Sequence, residues 1–354
     1  MDRLLLVIPP VVQMVNGVYE VEADFINNLR LYLENFSHVT FACTVFYQPS
    51  GTILRSAPLT KIANSERLTF IELPLAYRED RYWRHYLVIK KLFRSEIAKA
   101  DYLLFSPFTN YDWPTLAALQ AIKLRRNYDL EADIDYPILE RLALAAMPLG
   151  LKKLRKTWWA HAFAKHFNKC LAHSSVALLQ GQDVFDAYKH IAPNPHKVLN
   201  VQVSREDQIQ PTQLNSKLQR IHAGKPLTIA YAGQMLARKG PLDWIKAINH
   251  AVTSGANLRA TWFGDGELMP QMRQLANERV TLAGTVHRDQ VMSHLRNTDM
   301  FVFCHKTRES PRCLGEALAT GCALVGYGTG YSRSLVATHG GGSSPRWSGN
   351  RWPS

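Results

Sequence analysis

The chain has 354 residues, 46% of them hydrophobic and 20% charged, with 42 Lys and Arg against 29 Asp and Glu and a net charge of +13. That length points to about two domains with real cores. The positive balance suits phosphorylated substrates, an anionic membrane surface or nucleic acid, but no zinc spacing, recognition-helix pattern or RNA-binding aromatic motif accompanies it, so nucleic acid fits least.

The apolar run 4–8 reads as the first strand; it is too short for a signal peptide and Pro9-Pro10 ends it. Asn16-Gly17 forms a turn, and 18–36 reads as an amphipathic helix. Strands follow at 39–46, 68–73 and 102–105, with helices at 81–99 and 113–125. Residues 128–135 read as another strand, 137–172 as helical, and 176–180 and 198–203 as the last strands of this half. The longest apolar stretch, around 142–151, contains Pro148 and falls short of a membrane span, so a soluble or surface-attached protein is expected. Five cysteines without a CxxC pair behave as small buried hydrophobes, which suits a reducing, cytoplasmic setting.

Residues 206–225 are polar, carry Pro211 and Gly224, and read as a linker between a first domain (1–205) and a second (226–339). The second half alternates strand 227–232, helix 240–251, strand 258–263, helix 268–277, strand 280–283, helix 289–297 and strand 300–304. Such alternation implies parallel sheets with helices on both faces. The expected fold class is α/β, two doubly wound Rossmann-like domains facing across a cleft, with ligands at the carboxyl ends of the strands. The segment 340–354 has neither a period nor an apolar face and is expected to be disordered.

Three loops of the second half carry chemistry. Gly233 and Gly240 bracket a loop between a strand and a helix, where Lys239 can reach a diphosphate. A charge-assisted bond there is about twice as strong as a neutral one. Gly264 and Gly266 follow the next strand. After the strand at 301–304, Ser310 stands at an expected N-cap with Pro311 at the first helical position. Glu309 lies at the mouth of that helix and Glu316 inside it, beside a helix end that favours anions. A carboxylate there suits the hydroxyls of a ribose or sugar better than a phosphate. The competing structural role for Glu316 is an i,i+4 pair with Arg312, worth about 0.3–0.5 kcal/mol.

Taken in order, 232–240, 263–267 and 309–316 resemble the donor half of the retaining family 4 glycosyltransferases of GT-B fold, with their Gly-Arg…Lys-Gly loop, strand-end Gly-x-Gly and paired glutamates. The resemblance covers the last third of the chain strongly and the rest only in pattern. It implies a nucleotide-diphosphate sugar as donor, with Gly233, Arg238, Lys239, Gly264, Gly266, Ser310, Arg312, Leu314 and Glu316 around it. Glu309 would face the sugar or its leaving group, and residues 310–314 would offer backbone N–H groups to the diphosphate. It further implies a glycan or polyprenyl-linked acceptor in surface-polysaccharide assembly, retention at the anomeric carbon, and no metal or other cofactor. Gln234 stands where the family places its first loop arginine, and six residues rather than seven separate the glutamates. The family's closing helices are not recognisable after 339. A binding protein without turnover and a sugar-nucleotide epimerase are the alternatives.

The first half is less marked. Asp133 and Asp135 close a strand where the family often places an acceptor-side catalytic residue; the competing role is a cap on the next helix. Gly17 resembles the flexible acceptor-side loop of the family, or is simply a turn residue. The segment 151–171 is basic, with Trp159, Phe163 and Phe167 at four-residue steps; it suits either an anionic membrane or a core-packed aromatic stripe. His161, His166 and His173 do not form a metal set.

Overall fold

A computed structural model describes residues 2–9, 11–47, 56–62, 65–109, 111–145, 147–199, 203, 205–307 and 309–339. The chain divides into two compact units, Met1–Val198 and Leu199–Ser354.

The first unit runs β1 (Arg3–Val7), β2 (Val12–Val15), β3 (Val18–Glu22), α1 (Ala23–Asn35), β4 (His38–Phe46), β5 (Ser56–Pro58), β6 (Leu68–Leu73), α2 (Glu79–Lys99), β7 (Tyr102–Phe105) and α3 (Trp113–Lys123). It continues with β8 (Asp129–Ala132), α4 (Tyr136–Ala145), α5 (Leu151–Ala172), β9 (Val176–Gln180), α6 (Gly181–Tyr188) and β10 (Pro195–Val198). Seven strands pair in parallel in the order β6-β4-β1-β7-β8-β9-β10. Successive side chains of a strand point to opposite faces, so β1 feeds two cores. Leu4 and Leu6 pack with Leu29 and Leu33 of α1. Leu5 and Val7 join the cluster holding Phe93 of α2 and Phe163 and Phe167 of α5. A strand buried on both faces is why 4–7 reads as an unbroken apolar run.

The helix expected over 18–36 is a strand as far as Glu22. Val12–Val15 and Val18–Glu22 form an antiparallel hairpin with Val15 opposite Val18, and Asn16 and Gly17 both take positive φ, 49° and 79°. An Asn-Gly pair between alternating apolar residues is a strong hairpin cue, and Val18, Glu20 and Glu22 alternate with Tyr19 and Val21 at the period of two that a strand requires. The single helical stretch expected over 137–172 is two helices, because Pro148 and Gly150 (φ 156°) interrupt it. Of the strand expected at 198–203, Val198 ends β10, and most of the remainder lies outside the described residues.

The second unit contains α7 (Pro211–His222), β11 (Leu227–Ala232), α8 (Pro241–Thr253), β12 (Leu258–Phe263), α9 (Met269–Leu275), β13 (Val280–Gly284), α10 (Arg288–Leu295), β14 (Met300–Phe303), α11 (Arg312–Ala319), β15 (Ala323–Gly326) and α12 (Gly330–His339). Its strands are all parallel, in the order β13-β12-β11-β14-β15. The winding reverses between β11 and β14. The connections that leave these neighbours run to opposite faces of the sheet, which opens a crevice at their carboxyl ends. The tail expected to be disordered, 340–354, lies outside the described residues.

The expected linker 206–225 is mostly α7, a helix of the second unit. Pro211 supplies its N1 residue, and a capping box joins Gln210 to Gln213. The polar composition concealed a buried lysine. Lys217 is 5% exposed, and its Nζ donates to the carbonyls of Leu295 (3.4 Å), Thr320 (2.9 Å) and Gly321 (3.0 Å). One ammonium therefore closes the carboxyl ends of α10 and α11, where helix carbonyls lack partners and the dipole favours a cation. Burial holds its pKa below that of an ordinary lysine. Replacing it by methionine keeps the stem but strands buried carbonyls, at about 1–3 kcal/mol. Urea unfolding of Lys217→Met is expected to show that loss.

Candidate functional site

Three loops at the carboxyl ends of β11, β12 and β14 are joined by their backbones. Gly233 N–H donates to Phe263 O at 2.8 Å, Met235 N–H to Asp265 O at 2.9 Å, and Lys306 N–H to Arg238 O at 2.8 Å. The indole N–H of Trp262 donates to Gly233 O at 3.0 Å. Two glycines make this approach sterically feasible. A Cβ on Gly264 (φ 122°) would lie 2.2 Å from Gly233 O, and one on Gly240 (φ 67°) would lie 2.1 Å from Cys304 O. Both φ values are in the region that L side chains rarely adopt. Gly240 also caps α8, directly after the turn Ala237–Lys239. Gly233 and Gly266 sit in the same weave, against the Tyr231 ring and the Met235 backbone.

This weave brings together charges distant in sequence. Arg238 Nη1 lies 2.5 Å from Glu309 Oε2, and Lys239 Nζ lies 3.0 Å from Glu309 Oε1. Glu309 is only 5% exposed, so its carboxylate needs compensation, and two cations give it. Arg238, Lys239 and Glu309 were singled out in sequence, but the carboxylate is held by the cations rather than standing apart from them. Cys313 behind them has its thiol pushed up to about 12, by burial first, with Lys239, Glu316 and Glu309 also acting on it.

Two residues of this neighbourhood were not anticipated. His305, 3% exposed, places Nε2 at 2.6 Å from the Tyr231 hydroxyl. Burial, with Lys239 and Arg238 nearby, drives its pKa well below the usual histidine value. Burial also raises the Tyr231 pKa well above the usual phenol value. His305 follows the apolar run of β14 without a break, and that adjacency was the only available cue.

Ser310 was expected as the N-cap. The cap is Pro311 and the helix begins at Arg312, because φ of a proline suits either position. Leu314 is fully buried, and its N–H donates to Pro311 O at 3.2 Å. That amide is used inside the helix and is not offered outward as expected. The structure pairs Glu316 with Arg288 of α10 (Nε to Oε1, 3.0 Å), and the same guanidinium reaches Asp207 at 3.1 Å. Arg288 thus ties the paired-glutamate helix to the segment that enters the unit.

In the first unit Asp135 is 4% exposed. Its Oδ1 accepts the Tyr188 hydroxyl (2.6 Å) and the Ile138 N–H (3.1 Å). That is the helix-cap role, the simpler of the two expectations. Asp133 lies just beyond β8, with Oδ1 buried. Gly17 sits at the tip of the hairpin rather than in a strand–helix loop, with nothing within 4 Å of where a Cβ would stand. Phe163 and Phe167 of the α5 stripe are buried and pack into the core, whereas Trp159 is only half-buried. Among the described residues no group of three or more His, Cys, Asp or Glu is placed to hold a metal. No helix among them is long and apolar enough to cross a membrane.

Residues 226–343 match the sequence model of the family described as glycosyl transferases group 1. No functionally curated protein matches the chain in sequence. Among solved structures, HepE of Anabaena in complex with UDP-glucose aligns with a TM-score of 0.59 at 14% identity, over 95% of this chain and 83% of that one. The fold is GT-B. Sucrose-phosphate synthase from Thermosynechococcus elongatus gives 0.59 at 12% over 95% and 84%. WaaG, a glycosyltransferase involved in lipopolysaccharide biosynthesis, gives 0.58 at 12% over 95% and 84%. At such identities the likeness defines architecture. The family match lies on the unit that holds Arg238, Lys239 and Glu309.

Because the weave depends on Gly240, Gly240→Ala is expected to lose about 1–3 kcal/mol or more to backbone strain. Urea unfolding monitored at Trp244 and Trp262 measures it; an unchanged midpoint would mean that the loops are not locked there.

Proposed function

We propose that the chain is a glycosyltransferase that moves a sugar from a nucleotide-diphosphate donor to a glycan or lipid-linked acceptor, with retention at the anomeric carbon. The observation that carries this reading is the pair of adjacent cations, Arg238 and Lys239, gathered on one buried carboxylate at the crevice beside β11 and β14. That crevice lies within the segment matching the glycosyltransferase family.

In this scheme the diphosphate takes Arg238 and Lys239 from Glu309, and the first N–H groups of α11 add a positive dipole end. Glu309, once released, faces the donor sugar. Glu316 accepts the ribose hydroxyls in place of, or together with, its bond to Arg288. The departing diphosphate then meets two cations already positioned, and preorganised charge of this kind is the largest single contribution in many enzymes. Gly233, Gly264 and Gly266 let the loops come close enough to surround the donor, and Ser310 and Arg312 line the start of α11. HepE and WaaG, the one seen with UDP-glucose and the other acting in lipopolysaccharide biosynthesis, support a hexosyl donor and a surface-glycan acceptor. Asp133, at the carboxyl end of β8, is the acceptor-side candidate of the first unit. The setting proposed is the cytoplasmic face of a membrane, with the donor as a substrate and no resident cofactor in the scheme. A binding protein without turnover, or an epimerase, accounts less well for a match to a transferase family.

Uridine, guanosine and adenosine diphosphates at millimolar concentration test the site, since a ligand that binds only the folded chain raises its melting temperature. At least one is expected to do so. Lys239→Ala should weaken that nucleotide by about 1.5–3 kcal/mol, the scale of a bond to a charged group. Absence of any shift, or equal affinity in the variant, would remove the donor site.

A further inference from the structure

The first unit holds a groove of about 330 Å³ that no step of the proposed transfer uses. Its floor is α3, at Leu116, Leu119 and Ile122. One wall is α2, with Tyr82, Trp83 and Tyr86; the other is α5, with Trp159, Ala162 and Phe163. Lys123, His166 and Lys169 also line it, as does the buried Asp112. The volume is at the lower limit for small-ligand pockets, which are mostly apolar with a few polar groups. The ring contacts fix the aromatic end: Tyr82 stacks on Trp113 at 4.9 Å, and Tyr111 meets Trp159 at 5.0 Å.

The surface around the groove is unusual for water. On the outward side of α2, Trp83 is 50% and Leu87 73% exposed; at the start of α5, Leu151 is 86%, Leu154 69% and Trp158 62% exposed. Basic residues alternate with them: Arg84 and Lys91 on α2, and Lys152, Arg155 and Lys156 on α5, are all exposed. Exposed leucines and tryptophans among lysines and arginines on two helices that wall one groove match the composition of helices lying in an anionic bilayer interface. Each basic residue near such a surface contributes about 1 kcal/mol.

We propose that this groove takes one hydrocarbon chain of an anionic bilayer lipid, with the chain between the aromatic walls and the head group on Lys123 and Lys169. The bilayer is favoured over a protein partner because exposed apolar and basic side chains are interspersed on both helices. The inference deepens the proposed function by naming the surface at which a lipid-linked acceptor would be met. Its test requires no sugar transfer, so either reading can fail alone.

The 354-residue chain is titrated with bromododecanoate below its micelle-forming concentration, with bromododecanol as the neutral counterpart, and bromine quenching of tryptophan fluorescence is read. In parallel it is sedimented with phosphatidylglycerol or phosphatidylcholine vesicles. The expected result is saturable quenching that favours the acid, together with binding to the phosphatidylglycerol vesicles alone. Ala162→Phe, which fills the groove, should weaken quenching about tenfold, a loss of about 1.4 kcal/mol. Should that variant misfold, the Lys123→Glu, Lys169→Glu pair keeps the groove and should abolish the preference for acid over alcohol. Vesicle binding without saturable quenching would show surface docking with no chain site and overturn the proposal. So would quenching that is equal in the variants, or no response to either probe, which would leave the face to a protein partner.

Discussion

Two cations and one buried carboxylate set the character of the second unit. A carboxylate as secluded as Glu309 would be costly alone, and Arg238 and Lys239 would repel one another without it. Each of the three keeps the others in place. The cost of removing one partner from such a group far exceeds the net value of the group itself. In the proposed transfer a diphosphate satisfies these cations in place of Glu309.

The proposed exchange depends on backbone geometry. The parallel order β13-β12-β11-β14-β15 places the reversal of winding between β11 and β14, so the loops carrying Arg238 and Glu309 meet although about 70 residues separate them in sequence. Gly264 and Gly240 then permit backbone approaches that no larger residue could accept. Lys217 fastens α7 to the carboxyl ends of α10 and α11, and Arg288 joins Glu316 to Asp207 at the entrance of the unit. The charged centre is thus held by the fold and not by loose side chains.

The alternation of apolar runs and helical periods made both parallel sheets legible, since strands buried on two faces cannot hide in a sequence. Lys239, Arg238 and Glu309 were legible as a set because a turn glycine, a helix start and a strand end marked their loops. Their mutual pairing was not, since ion-pair partners in three dimensions leave no spacing in one. The second strand of the β2–β3 hairpin is masked in sequence because Val18–Glu22 runs without a break into the amphipathic helix Ala23–Asn35. The α7 helix was missed because a buried lysine and exposed leucines invert the usual pattern: Leu214, Leu218 and Ile221 recur at helical spacing, but the polar composition outweighed them. Asp135 lay where an acceptor residue was expected, and its Tyr188 partner, 53 positions away, was beyond any local reading.

In the proposed transfer Glu309 occupies the cations until a diphosphate takes them. Calorimetric affinity of the preferred nucleoside diphosphate for Glu309→Gln, compared with the unaltered chain, tests it most directly. Removing the competing charge should tighten binding about tenfold, or about 1.4 kcal/mol, with the folded stability checked separately. Unchanged or weaker binding by a folded Glu309→Gln protein would show that Glu309 does not compete with the diphosphate for these cations.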